Sequence, residues 1–204
     1  MDLTKDRKKL MELYRPGMEE FTLVEVPELP FAVVDGQGSP DHDAGAKAIK
    51  YLFTAIYPIR REARERMGKT LIEPPLEMLY WADDMCDLAA GNKENWKWRA
   101  MITLPVWADG NMFANAVAQA KKQMDEVANS LRMESFSEGR CAQIMHVGRA
   151  QAIPALLERL YTQFLPQNNL EPDGAYHEIY LDDWNRTAPE RRKLILRQPV
   201  RPGR

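Results

Sequence analysis

The stretch YHEIYLDDW, residues 176–184, has an echo earlier in the chain at PLEMLYW, residues 75–81. Both carry a Glu followed closely by a Tyr and then a Trp. Both alternate as a β-strand does, with successive side chains pointing to opposite faces. In the later stretch Tyr176, Glu178, Tyr180 and Asp182 share one face, and His177, Ile179 and Leu181 the other. In the earlier one Glu77, Leu79 and Trp81 oppose Leu76, Met78 and Tyr80. A second pair of segments follows in the same order: AMITLPV at 100–106 and LILRQPV at 194–200 are short apolar strands ending in Pro-Val.

Working outward, each pair is preceded by a strand and a helix. FTLVEVPELPFAVVDGQG, 21–38, reads as one strand kinked or edged by Pro27 and Pro30 and stopped at Gly36 and Gly38. The helix over 39–68 offers Ser39 or Asp41 as N-cap and Gly68 as its stop, with Ile49, Leu52, Phe53, Ile56, Tyr57 and Ile59 at helical spacing and Pro58 as a kink. In the second half SFSEGRCAQIMHVG, 135–148, is the strand and AQAIPALLERLYTQFL, 150–165, the helix, with Pro154 in its first turn. The recurrence of strand, helix, strand, strand predicts a tandem duplication. The expected fold is α+β: tandem strand-helix-strand-strand modules related by pseudo-twofold symmetry around a central ligand cleft. The whole chain, 1–204, is then a single domain with an N-terminal extension at 1–20, which holds a short helix over Asp2 to Tyr14. The first half spans 21–108, a connecting helix capped by Asp109 spans 109–130, and the second half spans 131–204. On this scheme Glu77 and Glu178 occupy related positions near one cleft.

The composition narrows the function classes. A formal charge of −2, with acidic and basic residues interspersed, argues against binding nucleic acid by broad phosphate neutralisation. The two cysteines, Cys86 and Cys141, and the three histidines, His42, His146 and His177, are scattered rather than set at metal-ligand spacing. No metal or cofactor is expected. The charged N-terminus lacks a signal core and no apolar run approaches a bilayer span, so a soluble cytoplasmic setting without a membrane anchor is the reading.

Two readings fit the Tyr176–Glu178–Tyr180 face: a solvated sheet surface, or a ligand cleft in which tyrosine hydroxyls hold a carboxylate that binds a cation, positions water or exchanges a proton. Five tryptophans, Trp81, Trp96, Trp98, Trp107 and Trp184, fill core or present flat surfaces to a ligand. His146 reads as a structural histidine, and His177 points away from Glu178. VDGQG lacks the pattern of a phosphate loop and reads as a turn, and RREARER at 60–66 fits a solvated helix face.

Beyond these readings, the chain resembles the GyrI-like small-molecule-binding family. The resemblance rests on VEVPELPFAVVDGQGSP, PPLEMLYWA, NWKWRAMITLP, EGRCAQIMHVGR and YHEIYLDDWNRTAPERRKLILRQPV, which run in family order from about Val24 to Val200. It implies paired modules around a cleft where flat, often cationic, hydrophobic molecules bind about a glutamate; Glu178 and Tyr180 match that strand. With no helix-turn-helix segment, a stand-alone protein is expected. The tryptophan-rich segments are similar to a subfamily that hydrolyses the cyclopropane of DNA-alkylating cyclopropanoid toxins of the yatakemycin and duocarmycin type. That resemblance implies an aromatic cage from Tyr57, Trp81, Trp98 and Tyr180. It also implies Glu178 as the catalytic acid that positions or activates water, with Glu77 second. The partners implied are small planar hydrophobic ligands. Two alternatives stay open: a non-catalytic multidrug-binding or sensing protein, and a gyrase-interacting protein. The oligomeric state is left open.

Overall fold

The computed structural model describes residues 6–40, 43–68, 73–83, 92–124 and 130–203. Asp41 as a cap, His42, Cys86 and residues 125–129 of the expected connecting helix fall outside them; that helix ends at Lys121, short of the expected 130, with a turn after it. By their contacts the residues divide into two compact units. The first comprises Leu29–Pro74 and Met78–Phe136; the second comprises Asp6–Glu28, Pro75–Glu77 and Ser137–Arg204.

The first unit is built on strands β2 (Leu29–Gln37), β4 (Lys97–Thr103) and β5 (Arg132–Phe136), with helices α2 (Asp43–Met67) and α3 (Gly110–Lys121). Strand β3 (Leu76–Trp81) joins it from Met78 onward and lies beside β4. β2 pairs antiparallel with β4 on one side and β5 on the other. Its Phe31, Ala32, Val33 and Val34 are all buried, as a central strand covered on both faces requires. α2 buries Leu52, Ala55, Ile56, Ile59 and Ala63, a stripe at three- and four-residue spacing. α2 ends at Met67, before Gly68 at φ 53°, a conformation that favours glycine. Asp109 caps α3 by accepting a hydrogen bond from Met112 N at 2.8 Å.

The second unit holds α1 (Arg7–Tyr14), β1 (Thr22–Val26), β6 (Gly139–Val147), α4 (Ile153–Arg159), a π-helical turn at Leu160–Phe164, α5 (Leu165–Gln167), β7 (Leu170–Pro172), β8 (Tyr176–Tyr180) and β9 (Lys193–Pro202). Its strands run in the order β1-β6-β9-β8, with β7 also on β9.

The structure is α+β and its duplication reaches further than the sequence pattern. Val26 faces Gly139 where Phe136 faces Leu29, and Thr22 faces Gln143 where Arg132 faces Val33, a constant shift of 110 positions. Gly38 and Gly148, related by that shift, both have positive φ, and each donates its N–H to the carbonyl just before β4 or β9, of Trp96 and Arg192, at 2.8 and 2.9 Å. Two expectations are corrected: residues 135–148 are not one strand but the end of β5 and all of β6, separated at Ser137 and Glu138, and residues 21–38 divide in the same way. Residues 21–38 form two strands, broken at Pro27 and Glu28, that pair in different ladders: β1 with β6, and β2 with β4 and β5. Proline has no N–H for a ladder, so the break falls where pairing must stop. Each half thus contributes its leading strand to the ladder of the other.

Candidate functional site around Glu178

Strand alternation in β8 separates two polar clusters. Tyr176, Glu178 and Tyr180 lie on one face of the second unit's ladder, and His177 and Ile179, both fully buried, on the other. Glu178 pairs with Leu196 and Tyr180 with Leu194, so this face has an apolar floor on β9.

Glu178 is half-buried, and each of its oxygens receives a phenol. Tyr176 Oη donates to Oε1 at 3.0 Å, and Tyr180 Oη donates to Oε2. Tyrosines two residues either side of a strand glutamate flank it in the pleat, which is why YHEIY delivers both donors. The Tyr180 ring meets the edge of Trp184 at 5.0 Å and 75°. The Arg192 guanidinium lies 5.0 Å from the opposing tryptophan's centroid and donates to Trp184 O at 2.7 Å and to Thr187 O at 3.1 Å. Asp182 accepts from Lys193 N at 2.8 Å, pinning the loop after β8 to the start of β9. Tyr161, from the π-helical turn, reaches the same face and donates to Gln198 Oε1 at 2.8 Å. The arrangement presents a held carboxylate beside aromatic rings, suited to a cation or to an oriented water.

The other face carries a buried charge network. Gln143, Arg197 and His177 sit side by side across β6, β9 and β8. Arg197 donates from Nε to Gln143 at 3.1 Å, from Nη1 to Glu138 at 3.1 Å and from Nη2 to Leu13 O at 2.7 Å. His177 Nδ1 is 2.9 Å from Glu138 Oε1, and its Nε2 is 3.1 Å from Glu77 Oε2, an ion-pair contact out of line for a hydrogen bond. Tyr14 donates to Glu77 at 2.9 Å, and Gln143 donates to Glu12 O at 2.8 Å. Helix α1 is therefore strapped to the network by Tyr14 and by two of its own carbonyls. The equivalent row in the first unit is apolar, Val33 beside Met101.

Burial works to raise the Glu138 carboxyl, but the charges of His177 and Arg197 and their hydrogen bonds outweigh it and bring it down to about 2. Burial works to lower His177, but Glu138 and Glu77 more than offset it and lift the imidazole from 6.5 to about 8. The His177 contribution to stability is thus fully present below pH 6.5 and lost as pH rises through 8; that of Glu138 is present above pH 4.5 and lost as pH falls through 2. Stability is expected to be highest between these limits and to drop by about 2 kcal/mol from pH 6 to pH 9. Urea unfolding at the two pH values measures it, and a His177→Gln variant should lack that drop.

Of the residues expected at the ligand, the structure brings Glu178 and Tyr180 into direct contact. Glu77 is buried and bonded on the His177 face, opposite to Glu178. Trp98, 2% exposed, packs on its cross-strand partner Gly36, where a Cβ would come within 2.0 Å of the indole. Trp81 is half-buried on β3, and Tyr57 is 55% exposed on α2. Sequence reasoning set Tyr176 beside Glu178 as a hydroxyl that could hold the carboxylate but left it out of the aromatic cage, and it missed Arg192, Tyr161 and the Glu138–Arg197 pair. The signal for the last was an arginine inside the apolar run LILRQPV. Among the described residues no group of His, Cys, Asp and Glu is placed to hold a metal, and no helix is long and apolar enough to cross a membrane.

Comparison with known proteins agrees with this fold. No curated protein matches the chain. An uncharacterized conserved protein from Listeria innocua is 29% identical with a TM-score of 0.84, the match covering 98% of this chain and 100% of that one. A hydrolase from Listeria innocua is 30% identical with a TM-score of 0.76, over the same shares of the two chains. The C-terminal domain of EcmrR, at 14% identity and a TM-score of 0.56, covers 90% of this chain and 98% of its own and shares the fold. The model of the GyrI-like small molecule binding domain matches residues 19–200. With nearly the whole chain matched, this protein belongs to the GyrI-like small-molecule-binding family.

Proposed function

We propose that Glu178, with Tyr176, Tyr180 and Trp184, receives flat hydrophobic xenobiotics, and that the protein hydrolyses the cyclopropane of cyclopropanoid alkylating toxins. The carrying observation is the convergence of two phenols on one half-buried carboxylate beside an aromatic edge. The similarity to a hydrolase of the same family over nearly the full chain supports the catalytic part.

In this reaction the strained ring, conjugated to a carbonyl, is the electrophile. A water oxygen bonds to the ring carbon, the carbon–carbon bond breaks, and its electron pair flows to the carbonyl oxygen. Glu178 takes the proton that the attacking water loses and returns it to solvent, and the new phenolate takes one proton from solvent. The tyrosine donors hold the carboxylate in one orientation, so positioning rather than covalent chemistry supplies the rate. Incubating the purified protein with such a drug should give a product heavier by one water in the mass spectrum, formed by wild type and not by Glu178→Gln. Product formation at equal rates by both would remove Glu178 from the chemistry. Intact drug that still quenches tryptophan fluorescence would leave a binding protein.

A further inference from the structure

We propose that the groove between α2 and α3, within the first unit, is a second small-molecule site that takes a planar aromatic anion. The groove has a volume of about 450 Å³, within the range of small-ligand pockets. One wall is a row on α2, Phe53, Tyr57 and Arg61, each one turn after the last; Gln119 and Gln123 form the other. Ala120 lines it between them. A neighbouring hollow of about 350 Å³ shares Pro58, Arg61 and Gln119 and adds Ile59, Met112 and Ala116. The space exists because α3 turns alanines, 116 and 120, toward α2, where larger side chains would close it.

Charge gives the groove its selectivity. α2 carries Arg60, Arg61, Arg64 and Arg66. Arg60 and Arg64 are bound to Glu73, and Arg66 to Glu62. Among the described residues Arg61 enters no ion pair, and it is the arginine of the four that lines the groove. Glu62 and Glu65 line only the neighbouring hollow, so they steer an anion toward the Tyr57 end. There Tyr57, 55% exposed, offers a ring face, Arg61 a guanidinium, and the two glutamines amide donors. This is the recognition chemistry of an aromatic carboxylate or sulfonate, opposite in charge to the cation that a carboxylate such as Glu178 suits.

The test is a fluorescence titration with 8-anilinonaphthalene-1-sulfonate and with its uncharged analogue N-phenyl-1-naphthylamine. Wild type should bind the sulfonate saturably and more tightly than the neutral dye. Arg61→Ala should weaken the sulfonate roughly tenfold or more, as loss of a charge-assisted contact does, and leave the neutral dye unchanged. Tyr57→Ala should weaken both, and Glu178→Gln neither. Equal sulfonate affinity in wild type and Arg61→Ala would overturn the proposal, as would a loss seen only in Glu178→Gln. Both arginine and tyrosine are at the surface, so the variants should fold, which their circular dichroism checks.

Discussion

Replacing Glu138 by Gln is expected to destabilise the protein by about 3–5 kcal/mol, the usual cost of removing one partner from a buried ion pair. Glu138 sits between two cations, 2.9 Å from His177 and 3.1 Å from Arg197, all but fully buried. Without its charge, Arg197 and His177 keep Glu77 as their counter-ion in this row, and His177 should lose its proton at a lower pH than in the wild type. Urea unfolding gives the number. The double variant Glu138→Gln/Arg197→Met separates pairing from packing: it should lose much less than the two single losses combined, because methionine needs no counter-charge. The first unit supports that choice, since it fills the equivalent position with Met101 beside Val33. Strictly additive losses would show that the pair is not coupled.

This network also gives α1 its place. The helix is eight residues long, too short to persist by itself in water, and its polar bonds run to Glu77, Arg197 and Gln143. Loosening the row should therefore release α1 before the sheet melts, and the loss of stability above pH 8 should begin there.

Much of the architecture was legible in sequence because duplication leaves two imperfect copies to compare. The paired strands, the Gly68 stop and the Asp109 cap followed from local chemistry that tertiary contacts did not override. Strand β5 was legible only at its end, where Ser135 and Phe136 open the stretch 135–148. Its Arg132 and Glu134 carry no strand signal, yet they satisfy each other and pair with Asp35 and Arg99. Tyr57 shows the complementary failure. Helical spacing grouped it with Phe53 and Ile56, whereas small Ala55 and Ala63 complete the buried stripe and turn Tyr57 outward. At the candidate site, alternation alone separated Glu178 from His177. The same alternation put Glu77 on the face of Leu79 and Trp81, but which sheet face that was depended on its contact with His177 across strands, which no single stretch encodes.

The most direct measurement is the dissociation constant of a planar cationic dye such as ethidium, read by tryptophan quenching, for wild type and Glu178→Gln. The isosteric amide keeps the shape and one acceptor while removing the charge, and the phenol facing its NH2 group can turn to accept. With Glu178 as the ligand's counter-ion, the variant should bind the cation roughly 10- to 100-fold more weakly, the range set by a charge-assisted contact of about 1.5–3 kcal/mol. An uncharged dye of similar shape should bind both forms alike. Equal affinity of the two proteins for the cation would contradict the account and leave the Tyr176–Glu178–Tyr180 face a structural feature of the sheet.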